Sequence, residues 1–365
     1  MNWHIIFAGL KARPVRTGVT ILAVALQVAL ILVIVGLTTG TAQEVGRRTA
    51  GTGADIMFQP AGADVILAVD AAALPIEIGQ KLAQFSYIKS TTPVVVIFIA
   101  QEVTMAYGID PESFAKVSGG FVYKKGRVFQ ARNEIVVDDI FAKDKKVNIG
   151  SDVKLKNRTY KVSGIVENGK GARIFMGLEE AQDFNNTHGL VTVFFIKLKD
   201  SSDIEGAIKM LNMDAPGYEL RNVPQYAELM SGANIPGFDA FNRAVVFIAL
   251  CIGVLVIFLS MYTTIMERTR EIGILRALGG SKSYIVLLII KEALFLCSIG
   301  VVLGIIASFG IIRVAQSFFP TLAFNISWQW MINAAISAMA SGIIGSIHPS
   351  LKAASQDPVE AFAYE

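Results

Sequence analysis

Four stretches of the chain stay apolar far longer than the face of a globular helix requires. Between Arg16 and Glu44 no residue is charged, and residues 19–37 are almost wholly aliphatic. A second run, 244–266, is bounded by Arg243 and Glu267, and a third, 293–312, by Glu292 and Arg313. A fourth, 330–347, opens beside Trp328 and Trp330, where an interfacial aromatic belt would sit. A helix that crosses a bilayer needs about 20 apolar residues, so each run predicts one crossing. The first run also admits a reading as a cleaved signal peptide, with residues 40–42 as the cleavage site, but its apolar core exceeds the roughly 7–15 residues of a signal h-region. An uncleaved span is expected.

Between the first and second runs the pattern changes. Short strand-like segments are expected at 92–100, 134–137, 152–155, 159–166 and 191–198, and helices at 75–85 and 203–211. The alternating runs on either side of Asn157-Arg158 read as a hairpin, and the apolar 94–100 segment is too short for a fifth span. The fold class expected is an α-helical membrane protein with four transmembrane helices plus a large α+β extracytoplasmic domain inserted between helices 1 and 2. Its segments are a cytosolic amphipathic N-terminus (1–16), TM1 (17–40), the α+β domain (41–243) and TM2 (244–266). A cytosolic helix (267–283), TM3 with an amphipathic lead-in (284–313), a link (314–328), TM4 (329–348) and a cytosolic tail (349–365) follow.

Composition agrees with a membrane protein: 53% of the 365 residues are hydrophobic and only 17% are charged, against about 25% charged in soluble domains. The basic residues near the spans set the orientation. Lys11, Arg13 and Arg16 precede the first run, and Arg268, Arg270, Arg276 and Lys282 lie between the second and third. Both termini and the 267–283 segment are therefore expected in the cytosol, and residues from about 41 to 243 on the other side of the membrane. A net charge of +3, with no basic cluster interleaved with aromatics, gives no reason to expect nucleic acid.

Candidate chemistry is sparse. Cys251 and Cys297 lie in apolar runs and read as small packing residues, and His4, His188 and His348 have no neighbours at ligand spacing. No catalytic, cofactor or metal residues are assigned. Asp138 and Asp139 are adjacent, but neighbours on a strand point to opposite faces, so a solvated strand end is expected. Lys291 and Glu292 read as an interfacial pair near the cytosolic end of the third span. Gly300, Gly304 and Ser308, and then Ser337, Ser341 and Gly345, recur one helical turn apart and allow close helix packing, within the chain or between copies. Gly279-Gly-Ser-Lys-Ser283 is not a phosphate loop, because Arg276 and Ser281 stand where its glycines belong.

The segment from Glu267 to Lys282 is the most informative part of the chain. Glu267-Arg-Thr-Arg-Glu271 is charged, Ile272, Leu275 and Leu278 fall at i, i+3 and i+6, and Gly279-Gly280 supplies a helix stop. A short amphipathic helix between two spans suits docking into a groove on a partner; the alternative is a helix lying passively at the interface.

These residues carry a resemblance. The chain resembles the permease subunits of the MacB/FtsX/LolC group of ABC transporters (type VII). The match lies in the topology, in Glu267-Arg-x-Arg-Glu-Ile-Gly-Ile-Leu-Arg-Ala-Leu-Gly-Gly280 and in Pro349-x-x-x-Ala-Ala-x-x-Asp-Pro-Val-Glu-Ala361. The resemblance implies mechanotransmission: a separate cytosolic ATPase dimer, which binds ATP and Mg, moves the outer domains of two permease copies, identical or related. It implies that Glu267, Arg268, Arg270, Glu271, Ile272, Gly273, Leu275, Arg276, Leu278 and Gly279 meet the ATPase. Ile272, Leu275 and Leu278 would form the buried ridge, with Asp357, Pro358 and Glu360 of the tail beside it. The chain would not be an enzyme itself. Export or extraction, with a periplasmic membrane fusion protein as a further partner, is the function implied; the alternative is an FtsX-like signal transducer acting on a cell-wall hydrolase.

Overall fold

The computed structural model describes residues 14–62, 74–100, 104–231 and 238–356. The N-terminal stretch with Trp3, Ile6, Phe7 and Leu10 and the tail residues Asp357, Pro358 and Glu360 lie outside them. Among the described residues two compact units form: one from 14–40, 238–318 and 324–356, the other from 41–231 together with 319–323.

Helix α1 (Pro14–Ala50) has 37 residues, or about 55 Å at 1.5 Å per residue, well beyond the roughly 30 Å hydrocarbon layer. Its turns from residue 41 onward belong to the second unit. There the elements run β1 (Ile56–Pro60), β2 (Leu74–Pro75), α2 (Ile78–Leu82), β3 (Ile88–Ile99), β4 (Thr104–Ile109), α3 (Pro111–Ser118), β5 (Tyr123–Gly126) and β6 (Glu134–Asp138). They continue as α4 (Asp139–Lys145), β7 (Asp152–Leu155), β8 (Arg158–Val166), β9 (Ile174–Gly177), α5 (Leu178–Asn185), β10 (Leu190–Val191), β11 (Val193–Leu198), α6 (Ile204–Asp214), β12 (Tyr218–Asn222) and α7 (Val223–Ser231).

Among the described residues ten strands form one mixed sheet in the order β12-β1-β11-β3-β4-β9-β6-β8-β5, with β7 paired to β8. The pairs β4–β9 and β6–β8 are parallel and the others antiparallel. The apolar run on β3 lies in the middle of this sheet: Val94, Val95, Val96 and Ile97 are all buried, as on a strand covered on both faces. The β7–β8 hairpin forms, but its turn is Lys156-Asn157, one residue earlier than the alternation suggests, with Lys156 in the left-handed region at φ 50°. The 75–85 segment is helical only over α2, because Pro75 pairs with Leu190 in the small β2–β10 ladder. The 191–198 run divides at Thr192, whose hydroxyl accepts a hydrogen bond from the Val96 amide at 3.0 Å.

Asp138 is a correction. It is not solvated but 0% exposed, accepting from the Phe141 amide at 2.6 Å as the N-cap of α4 and bonding Arg173. Asp139 bonds Lys124 and Asn168 at the surface.

The helical unit contains α8 (Phe238–Glu267), α9 (Thr269–Ala277), α10 (Lys282–Phe318) and α11 (Trp328–Ser355). Helices α1, α8, α10 and α11 are long and apolar enough to cross a membrane. On α1, Val24, Val28, Ile31, Leu32 and Val35 form the buried stripe, while Val19, Leu22, Leu26 and Leu30 are exposed. The small residues mark crossings within the chain. A Cβ on Gly300 would lie 2.7 Å from Val24 Cβ, and one on Gly304 would lie 2.7 Å from the Ala25 carbonyl, so α10 meets α1 backbone to backbone. Ser308 continues that face, fully buried. Gly345 meets α8 in the same way at the Val254 carbonyl, 2.7 Å from its would-be Cβ. Cys297 packs beside Gly342, but Cys251 is exposed on α8. Helix α11 continues past residue 348 through a buried Pro349.

Candidate functional site

Helix α8 ends at Glu267, and at Arg268 the backbone leaves helical geometry (φ −112°, ψ 18°) before α9 begins. The other end is closed by the predicted glycine stop. The Gly279 amide donates to Arg276 O and the Gly280 amide to Leu275 O, each at 3.0 Å, with Gly279 at φ 95°. That is the paired 5→2 and 6→1 hydrogen bonding of a Schellman C-cap. Only a residue without a Cβ adopts φ 95° freely, which fixes where the nine-residue helix ends.

Charged residues at both ends of the segment bind the chain's own helices. Glu267 Oε2 accepts from Arg16 Nη1 of α1 at 2.7 Å. Arg268 Nε bonds Glu271 at 2.9 Å, and its Nη1 lies 3.4 Å from Glu292 Oε2 on α10. Arg276 Nη1 donates to Ala354 O at 3.0 Å and to Gln356 O at 2.6 Å, at the end of α11. A guanidinium on the last carbonyls of a helix also complements its negative C-terminal end. Glu292 is 7% exposed and lies against Arg268, beside a cavity of about 50 Å³ that Ile272, Leu275, Met261 and Ile289 also line.

The apolar residues divide differently from the sequence stripe. Ile272 and Leu275 are half-buried against the core of the helical unit, and Gly273 is buried at the same contact. Leu278, by contrast, is 80% exposed, and Ile274, outside the expected ridge, is 42% exposed. Arg270 is exposed beside them at i, i+4 and i+8 with Ile274 and Leu278. Glu271 is exposed but tied to Arg268, and Gly279 is exposed at the cap. The outward face is thus Arg270, Ile274 and Leu278. Sequence spacing could not find it, because α9 carries two apolar stripes and only the return direction of α10 decides which one turns inward.

Among the described residues, then, α9 is a short, capped helix tied to three long apolar helices, with Ile274 and Leu278 exposed on its outward side. The family models agree in their placement: the FtsX-like permease C-terminal model matches residues 243–358, and the MacB-like periplasmic core domain matches residues 17–212, more than half of the chain. The chain belongs to the MacB/FtsX-type ABC transporter permeases.

The uncharacterized ABC transporter permease YknZ of Bacillus subtilis (strain 168) is 25% identical over 403 residues, covering 100% of this chain and 99% of YknZ. The macrolide export ATP-binding/permease protein MacB of Escherichia coli is 26% identical over 392 residues, 98% of this permease but only 59% of MacB. The uncharacterized ABC transporter permease YvrN of Bacillus subtilis (strain 168) is 43% identical over 105 residues, 29% of this chain and 25% of YvrN. This permease thus spans less than two thirds of the length of both MacB and YvrN. The crystal structure of the periplasmic region of MacB from Actinobacillus actinomycetemcomitans aligns at 18% identity and a TM-score of 0.39, covering 51% of this chain and 97% of that one.

Proposed function

We propose that this permease is the transmembrane half of an ATP-driven exporter or extractor. A cytosolic ATPase dimer, separate from this chain, binds ATP and Mg and grips α9. Two permease chains meet it, and its closure is passed through the spans to the α+β unit, which lies between the first and second spans on the extracytoplasmic side. Both termini and α9 are cytosolic in this reading, and the membrane is the cytoplasmic one. Gly279-Gly-Ser-Lys-Ser283 lacks the glycines of a phosphate loop, which supports placing the nucleotide on the partner.

One observation carries the reading: Ile274 and Leu278 stand exposed on a segment that Glu267, Arg268 and Arg276 tie to α1, α10 and α11. A segment held at three points and apolar on its free side suits the transmission of force from a docked partner. The size of the α+β unit favours export over bare transduction, in which a moving outer domain would only activate an enzyme of the cell wall.

The test is co-purification of the full-length permease with its ATPase in mild detergent. Leu278→Asp and Ile274→Asp are expected to lower ATPase recovery by about tenfold or more, as the loss of a central apolar anchor does, while membrane levels of the permease stay unchanged. Undiminished recovery with both substitutions would sink the docking assignment. Continued cargo release with a catalytically dead ATPase would sink the motor reading.

A further inference from the structure

Helix α1 carries Glu44, Arg47 and Arg48 into the α+β unit, where an apolar end would have sufficed. Arg47 and Arg48 both face Glu44 on the same helix, and Glu44 in turn faces Arg173, a buried charge beside the sheet. Strands β6 and β9 run antiparallel, and just beyond their last paired residues the Asp138 amide donates to Arg173 O at 2.8 Å, which brings the two side chains together. Arg173 is 3% exposed. Its Nη1 donates to Asp138 Oδ2 at 3.0 Å, and its Nη2 donates to Thr321 O at 3.2 Å. The same Nη2 lies 3.7 Å from Glu44 Oε1. One planar guanidinium therefore touches the extension of α1, the sheet, and the 319–323 segment, which connects α10 to α11.

Glu44 holds an unusual position. Its Oε2 accepts from Arg47 at 2.9 Å, but its buried Oε1 accepts no hydrogen bond among the described residues. That oxygen lies 3.7 Å from Arg173 Nη2 and 3.7 Å from Nε of the buried Arg48. A charge-assisted hydrogen bond closes near 3 Å, so a shift of about 0.7 Å completes the bond to one arginine or the other. Two partners at equal distance offer two bonding arrangements, and a packed element with two arrangements can pass on a small displacement. Among the buried groups the charges balance, Arg48 and Arg173 against Glu44 and Asp138, while Arg47 is exposed. Burying such ions typically adds little net stability over an apolar patch, whereas an apolar patch could slide and a fork of directed bonds cannot.

We infer that Arg173 is a positioning residue that hands movement of the α1 extension and of the 319–323 segment to β6 and β9, with Glu44 as its two-position contact. This rests on the motor reading above, and it names where within the α+β unit the force arrives.

The experiment is hydrogen exchange on the full-length permease with its ATPase, with and without ATP, comparing wild type, Glu44→Gln and Arg173→Lys. Wild type is expected to change exchange on ATP both in 43–50 and in the β6 and β9 strands. Glu44→Gln keeps size and loses the charge; it is expected to retain ATP turnover and the response of 43–50 while the strand response falls by about fivefold or more. Arg173→Lys keeps the charge but loses the fork, and the same loss is expected. A strand response within twofold of wild type in both variants would overturn the node and leave the motor reading standing. A wild type that responds to ATP nowhere would overturn both.

Discussion

Apart from Arg268 with the buried Glu292, the carboxylates paired around α9 are exposed, whereas the charges around Arg173 are buried. At α9, Glu267 remains 49% exposed in its pair with Arg16, and Glu271 is 65% exposed beside Arg268. Water screens such pairs, and each contributes about 0–1 kcal/mol. The helix is therefore held by the number of its ties, by packing of Ile272 and Leu275, and by its glycine cap. At Arg173 the partners are buried, and removal of one leaves an uncompensated ion that typically costs about 3–5 kcal/mol. The first arrangement suits a surface that a partner must engage and release. The second suits a joint that must not slip.

The largest test of this contrast is Asp138→Ala, which removes both the α4 cap and the partner of Arg173. Hydrogen exchange in β6 and β9 of the full-length permease is expected to report a loss of about 3–5 kcal/mol. A loss below about 1 kcal/mol would make the buried site no different from the surface one. Arg276→Ala comes next. It frees the Ala354 and Gln356 carbonyls from α9, and an effect of about 1.5–3 kcal/mol is expected for hydrogen bonds from a charged donor, read as faster exchange across α9. Glu267→Gln should do least: at most about 1 kcal/mol, shrinking in high salt, where surface pairs are screened. A salt-independent effect there would show that the α9 pairs are shielded from solvent after all.

Much of this architecture was legible in residue order. Each long apolar run became a helix because a backbone removed from water must bond internally, although α1, α8, α10 and α11 all extend beyond the runs. The Gly279-Gly280 stop was readable because it depends only on local geometry. The edge strand β5 was not: all four of its residues, Tyr123 to Gly126, are exposed, so no alternation marks it. β4 was missed for the opposite reason, being buried almost throughout as an interior strand of the sheet. At the candidate site the helix and its charges were legible, but not how the stripe of Ile272, Leu275 and Leu278 divides: the first two pack against the helical unit and Leu278 is exposed. Asp138 looked like a solvated strand end because its partner, Arg173, is distant along the chain.

Residue order by itself determined what periodicity and local chemistry control: four long apolar helices, a mixed α+β region, a capped charged helix and close-packing glycines. Tertiary structure alone decided which face of α9 turns outward, which helix Gly300 and Gly304 meet, and that Glu44 lies between two arginines. Those outcomes depend on groups brought together across more than a hundred residues, Arg16 with Glu267 and Arg173 with Thr321 among them. No local pattern encodes such a meeting, because the free energy that selects it arises only when the partners leave water together.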